Sequence, residues 1–142
     1  MNIRRAVAED RAAIMTLLTA GQLPVEDLEA EPLDLFLVLE DGLSVVGTVG
    51  LERYGDIALV RSLAVASNAR GQGHGQALAP AAESLAARSG ISTLYLLTTS
   101  AEGFFRSRGY KTISRDECPA AIRATPQFSA LCPATAVVMV RP

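Results

Sequence analysis

The sequence predicts an α/β protein built on a mixed sheet, and three observations carry that reading. Apolar and β-branched runs between residues 34 and 66 are punctuated by Asp41-Gly42 and Gly55-Asp56. Such two-residue turn signals join strands as antiparallel neighbours. The last of these runs, Ile57 to Ala66, leads into the glycine-rich stretch Arg70-Gly71-Gln72-Gly73-His74-Gly75, after which apolar residues recur at helical spacing. A further β-branched run, Thr93 to Thr98, follows that helix. A strand, helix, strand unit is a crossover, so its two strands are parallel.

Taken in order, Asn2 to Val7 reads as a short first strand and Ala8 to Ala20 as a helix. The helix has Asp10 near its start, Ile14, Leu17 and Leu18 on one face, and Gly21 as its stop. Pro24 to Glu31 is a short second helix or turn, Pro24 being suited to a first helical position. Asp34 to Glu40 and Leu43 to Tyr54 form a hairpin, and Gly55-Asp56 turns the chain into Ile57 to Ala66. The helix after the glycines reaches Ser89, with Leu78, Ala81, Ala82 and Leu85 on one face and Gly90 as its end. Pro80 is expected to kink it or reset its start, because proline cannot donate to the carbonyl of Gln76. Ala101 to Arg108 is a short helix with Ser100 as its expected N-cap, and Ala136 to Val140 is the final strand.

One domain over residues 1–142 is expected, long enough for a real core. Hydrophobic residues make up 49% and the formal net charge is -2, which gives no electrostatic reason to expect nucleic acid or an anionic membrane as partner. No apolar run reaches the roughly 18 residues of a membrane span. The N-terminus carries Arg4, Arg5, Glu9 and Asp10 where a signal sequence needs its apolar region, so a cytoplasmic setting is expected. Cys118 and Cys132, the only cysteines, do not make a disulfide scaffold.

A glycine loop between strand and helix is an anion site. Glycines let several amide N–H groups converge on one phosphate, and the helix adds its orphan N–H groups and the positive end of its dipole. Arg70 adds a fixed charge and a fork of donors. A P-loop would need Lys and Ser or Thr after its last glycine, but Gly75 is followed by Gln76 and Ala77. The spacing of Gly71, Gly73 and Gly75 also differs from a dinucleotide fingerprint.

The loop resembles the Arg/Gln-x-x-Gly-x-Gly/Ala motif of the GCN5-related N-acetyltransferases (GNAT), with Arg70, Gly73 and Gly75 filling the pattern. Upstream, Ser62-Leu63-Ala64-Val65-Ala66 resembles the family's strand end, and Phe104-Phe105-Arg106-Ser107-Arg108-Gly109-Tyr110 its second motif. The resemblance implies a GNAT fold. There, antiparallel N-terminal strands precede a parallel pair that splays apart at the acetyl-coenzyme A site, and helices flank the sheet. It implies acetyl-CoA as co-substrate, held by Leu63, Ala64 and Val65, by Arg70, Gly71, Gln72, Gly73, His74 and Gly75, and by Thr98, Ser100, Phe104 and Phe105. Phe104 is expected in the core and Phe105 as a wall of the channel. More narrowly, Gly50 to Gly55, Leu96 to Glu102 and the tail from Cys118 to Thr135 resemble acetyltransferases encoded beside arsenic-resistance genes. The narrower resemblance implies a small, amino-acid-like amine as partner, and the apolar composition leaves room for a homodimer.

Acetyl transfer needs an amine lone pair and a polarised thioester carbonyl. A thiol of pKa about 8.5 leaves as thiolate at pH 7 at a cost of roughly 2 kcal/mol, whereas deprotonating an amine of pKa about 10.4 costs nearer 5. Glu52, the only carboxylate in the body of the third strand, is therefore the candidate base; its alternative is an exposed strand end or a pair with Arg53 or Arg61. An α-amine of pKa about 8 would need little base at all. The resemblance implies that the Val65 N–H polarises the thioester oxygen. Many members carry Tyr and Asn where this chain has Phe105 and Thr98, so the leaving sulfur has no acid, or Tyr54 or Tyr95 substitutes. The alternative is a coenzyme-binding sensor or interaction module on the same fold. His74 is expected to offer its backbone N–H rather than act as a base, and Arg61, in mid-strand, is either a partner for a substrate carboxylate or a strand-edge charge. Cys118 and Cys132 invite arsenic-thiolate chemistry, since soft ions prefer sulfur, against the plainer alternative of buried or incidental thiols.

Overall fold

A computed structural model describes residues 2–23, 25–28, 32–69, 73–131 and 135–142. Its strands are β1 (Asn2–Arg5), β2 (Phe36–Asp41), β3 (Ser44–Tyr54), β4 (Ile57–Val65), β5 (Thr93–Thr98), β6 (Lys111–Ile113) and β7 (Val137–Arg141). They form one sheet in the order β1-β2-β3-β4-β5-β7-β6. The helices are α1 (Arg11–Ala20), α2 (His74–Arg88), α3 (Glu102–Ser107) and α4 (Ala120–Arg123), with a π-helical turn at Gln127–Leu131. The mixed sheet is as expected: β1 to β4 are antiparallel neighbours, and β4 and β5 are parallel.

Both hairpin turns put glycine first. Asp41 pairs with Ser44 and Tyr54 with Ile57, so the loops are Gly42-Leu43 and Gly55-Asp56, with φ of 64° and 68° at the glycines. The first turn is thus one residue later than the Asp41-Gly42 expectation. Positive φ at the first position suits the right-handed twist of a hairpin.

Helix α1 is started by Asp10, whose carboxylate accepts the Val7 N–H at 2.8 Å and a bidentate pair from Arg4. At its other end Gly21 is not the left-handed residue. The chain makes a Schellman cap, Leu23 N–H to Leu18 carbonyl and Gln22 N–H to Thr19 carbonyl, and Gln22 takes φ 59°. Of the expected second helix, Pro24 and residues 29–31 lie outside the described residues, and Val25 to Leu28 is a turn that buries Leu28.

Helix α2 packs on one face of the sheet, where Leu78, Ala82 and Leu85 meet Val49, Leu51, Ala58 and Leu94. It runs through Pro80, so the start is not reset: the Gln76 carbonyl that Pro80 cannot serve belongs to an exposed residue in the first turn. The other face is covered in two patches. Ile14, Leu17, Leu18 and Leu28 pack on Phe36 and Val38, while Cys118 and Ile122 pack on Leu59 and Val138.

Strand β6 and its place outside β7 are absent from the sequence reading. Lys111 to Ile113 is mostly exposed and too short for a periodicity signal. The expected Ser100 cap is also corrected. Helix α3 begins one residue later than expected, and it is the Thr98 hydroxyl that accepts the Ala101 N–H at 3.0 Å and the Ser100 N–H at 3.4 Å.

Candidate active site

The site is made by two strands parting. β4 and β5 pair over Ile57, Ala58 and Leu59 against Thr93, Leu94 and Tyr95, and the ladder ends there although both strands continue. The cause is visible in β4. The register against β3 slips between Thr48 and Gly50, and Ser62 takes φ 60°, a left-handed bulge in mid-strand. β5 meanwhile stays with β7 as far as the pair Thr98 and Val137.

Two hollows flank the parting and share Leu63. The first, about 370 Å³, is lined on the β4 side by Leu59 to Leu63 and on the β5 side by Leu96 to Ala101, with Gln22, Leu23, Phe105, Gln127 and Ala136 around it. The second, about 490 Å³, lies over the start of α2 and is lined by Leu63, Val65, Ala69, Gly73, His74, Gly75, Gln76 and Phe104. Backbone bonding aims Val65 at the opening. Ala66 N–H bonds Val46 carbonyl at 2.8 Å, so the neighbouring pair Gly47 and Val65 is the wide one, and the Val65 N–H and carbonyl turn away from β3.

The second hollow fits a phosphate. Gly73 has φ 80° at the N-terminus of a 15-residue helix, and neither Gly73 nor Gly75 has a crowding neighbour where a side chain would start. A helix start with open glycines offers converging N–H donors and a favourable dipole. Arg70, Gly71 and Gln72 lie outside the described residues.

The two phenylalanines exchange the places expected of them. Phe105 is the core ring, 6% exposed and edge-on to both Phe104 and Tyr110, and it still reaches the first hollow. Phe104, half-buried, walls the second. A helix turn separates their faces, and the sequence alone does not fix which ring points inward.

Glu52 is buried, not exposed, and is not among the residues lining either hollow. Its Oε1 accepts from Arg61 Nη1 at 2.9 Å, and its Oε2 accepts from the Tyr54 hydroxyl. Arg61 is the group that reaches the first hollow, and all three of its nitrogens donate within the protein: Nε to Ser62 Oγ at 3.0 Å, Nη1 to Glu52 and to Asp27 at 2.7 Å, and Nη2 to Asp27 at 2.9 Å. Its guanidinium also lies 5.9 Å from the Phe36 ring centre. Phe36 has room because Gly50 is beneath it; a Cβ there would stand 2.5 Å from the ring. Burial alone would raise the pKa of Asp27, but the hydrogen bonds and charge of Arg61 hold it below the ordinary carboxylate range.

Among the described residues lining the first hollow there is no tyrosine. Tyr54 is held by Glu52, and burial pushes the Tyr95 phenol up. Burial likewise pushes the Cys118 thiol up to about 11, in an apolar cluster with Leu59, Ile122 and Val138. Cys132 lies outside the described residues. Asp27, Gln22 and Gln127 are the neighbours that sequence reasoning missed. The one usable signal was Arg61 itself, since a charge in mid-strand has to be answered by partners from elsewhere.

A family model described as an acetyltransferase (GNAT) domain matches residues 32–112. The uncharacterized N-acetyltransferase CT2212 of Chlorobaculum tepidum is 32% identical over 96 residues, 67% of this chain and 61% of that protein. N-acetylglutamate synthase from Neisseria gonorrhoeae, solved with coenzyme A and N-acetyl-glutamate, superposes with a TM-score of 0.82 at 28% identity over 99% of this chain. The match spans only 34% of the synthase chain. Rv2747 of Mycobacterium tuberculosis, solved in complex with CoA, shares the fold over 99% of this chain and 98% of its own (TM-score 0.81, 23% identity). With the parted strands, the phosphate-ready helix start and a family match over more than half of its length, the chain belongs to the GNAT family of acetyltransferases.

Proposed function

We propose that this chain is an N-acetyltransferase that moves acetyl from acetyl-CoA to the amine of a small, amino-acid-like acceptor, as a single catalytic domain over residues 1–142 in the cytoplasm. The observation that carries the reading is the parting of β4 and β5 after Leu59 and Tyr95, with a helix start on one side and the hollow that Arg61 reaches on the other. Acetyl-CoA supplies the activated thioester, whose carbonyl carbon the amine attacks as the C–N bond forms and the C–S bond breaks, leaving the electron pair on sulfur.

The chain's own residues bind and orient. Gly73, His74 and Gly75 offer backbone N–H groups to phosphate, with Arg70, Gly71 and Gln72 assigned by the family motif. Leu63 lines both hollows and Val65 the second, Ala64 is assigned to the pantetheine path by the family motif, and the Val65 N–H is the donor for the thioester oxygen. Phe104 and Phe105 wall the two sides, and Thr98 shapes the loop that carries Ser100. With both carboxylate oxygens engaged, Glu52 is assigned as a positioning residue that holds Arg61, and the amine's proton passes to water.

That chemistry favours an α-amine. At pKa about 8, its neutral form costs only about 1.4 kcal/mol at pH 7, against nearly 5 for a lysine-like amine. The N-acetyl-glutamate bound to the Neisseria synthase supports an amino-acid-like acceptor. The narrower motif resemblance adds arsenic- and phosphorus-containing amino-acid analogues. The test is thiol release from acetyl-CoA against a panel of such amines, with coenzyme binding followed by calorimetry. Release with one class of amine is expected; binding without release for any amine would replace the enzyme by a sensor, and no binding would end the reading.

A further inference from the structure

Helices α2 and α3 both border the second hollow, α2 with the residues of its start, Gly73 to Gln76, and α3 with Phe104. The sheet beneath them is parted. α2 packs on β3 and β4 and α3 on β6 and β7, while β4 and β5 stop pairing at Leu59 and Tyr95. Above that parting an ion pair joins the two helices, beside the apolar cluster that α2 shares with Phe105 and Tyr110. Glu83 lies further along α2, roughly 12 Å beyond Gly75 at the helical rise per residue, and its side chain is 8% exposed. Arg108, one turn past Phe104, donates to it from Nη2 at 2.7 Å and from Nε at 3.4 Å, one donor to each carboxylate oxygen.

Arg108 is a fixed point. Its end of α3 closes in a Schellman cap, with Tyr110 N–H on the Phe105 carbonyl and Gly109 N–H on the Arg106 carbonyl, both at 3.1 Å, and Gly109 at φ 93°. Arg141 of β7 donates from Nε to the Arg108 carbonyl at 3.1 Å, and its Nη2 stands 3.8 Å from Glu83. The rings carry that position to the hollow: Tyr110 is edge-on to Phe105 and Phe105 to Phe104, with centres 5.4 and 5.0 Å apart. Resting on the assignment of the second hollow to the phosphates of the coenzyme, we infer that Glu83 and Arg108 are positioning residues for coenzyme binding. Their pair holds the start of α2 and Phe104 at one separation, so the amide donors stand ready and no binding energy goes into closing the cleft. Neither residue lines the hollow itself.

The experiment is a double-mutant cycle on the intact protein, read as coenzyme A affinity by calorimetry, with Tm and the acceptor KM at saturating acetyl-CoA measured alongside. Glu83→Met and Arg108→Met are each expected to weaken coenzyme A at least about fivefold, and the double variant no more than either alone, because the same pair is broken in all three. The acceptor KM should change by less than about twofold. The double variant leaves no buried carboxylate unpaired and keeps the net charge, so it is expected to fold even where a single variant does not, and its affinity then decides: a loss supports the pair, wild-type affinity overturns it. Tighter binding in Glu83→Met with weaker binding in Arg108→Met would show a charge acting on phosphate at a distance, and would overturn the inference. A fall in Tm with coenzyme affinity unchanged would do the same, since a purely structural pair gives that result. Both leave the phosphate assignment intact, whereas no binding of coenzyme A by the wild-type protein would overturn that assignment and this inference together.

Discussion

Replacing Asp27 by alanine tests whether the buried network ties the turn after α1 to the sheet. The substitution removes two charge-assisted hydrogen bonds, from Nη1 and Nη2 of Arg61, each worth about 1.5–3 kcal/mol. It also ends the repulsion between Asp27 and Glu52 and the cost of holding Asp27 partly out of water, which return part of that sum. A net loss of about 2 kcal/mol at pH 7 follows, or about 7 °C in Tm for a chain of this size. Urea denaturation measures it, and pH supplies the sign check. Asp27 has a folded pKa below its unfolded value, so its contribution is present above pH about 4 and is lost as pH falls through the folded pKa. Asp10 and Glu40, also lowered by Arg4, are common to both proteins and cancel in the difference. The gap between wild type and Asp27→Ala should therefore shrink on going from pH 6 to pH 3. A gap below about 0.5 kcal/mol at pH 7, or one that does not change with pH, would show that the network does not hold the turn.

Gly73→Glu should weaken coenzyme A binding at least about 100-fold by calorimetry, because φ is 80° there and the new carboxylate would occupy the place of phosphate. Glu52→Gln keeps an oxygen for Arg61 Nη1, so kcat should fall by less than about tenfold and the pH profile should keep the amine's own pKa; a fall above about 100-fold with a lost basic limb would make Glu52 the base after all. Gly50→Ala should cost about 2–3 kcal/mol in denaturant melts, since its methyl would stand 2.5 Å from the buried ring of Phe36. Gln22→Gly should raise Tm by relieving about 1 kcal/mol of left-handed strain and should lower kcat/KM for the acceptor, whose hollow Gln22 lines.

Much of the fold was legible because its signals are local. Gly42 and Gly55 mark the two hairpins, and the run from Leu78 to Leu85 repeats at the helical period. What was misread depends on distance or on neighbours. Lys111 to Ile113 becomes a strand only because β7 lies beside it, and its own residues are mostly exposed. Gly21 does stop α1, as expected, but the left-handed residue of the Schellman turn is Gln22, which lines the first hollow. Strain accepted at a cleft while a glycine stands one residue away is a reason to look for function at Gln22.

The half of the site that holds the coenzyme and the half that receives the acceptor were legible to different degrees for a physical reason. Phosphate is bound by backbone at the start of one helix, and the requirement for glycine writes that task into consecutive residues such as Gly73 to Gly75. The acceptor side is built from side chains of α1's end, the turn at Asp27, β3, β4 and the Gln127 segment, which meet only after the sheet has formed. No spacing rule links Asp27, Glu52 and Arg61, although both carboxylates are bonded to that one guanidinium. A change of acceptor can therefore arise at the turn after α1 or at β3 without touching the glycine loop. On this reasoning acceptor preference, not coenzyme affinity, is what Asp27 and Gln22 variants should move.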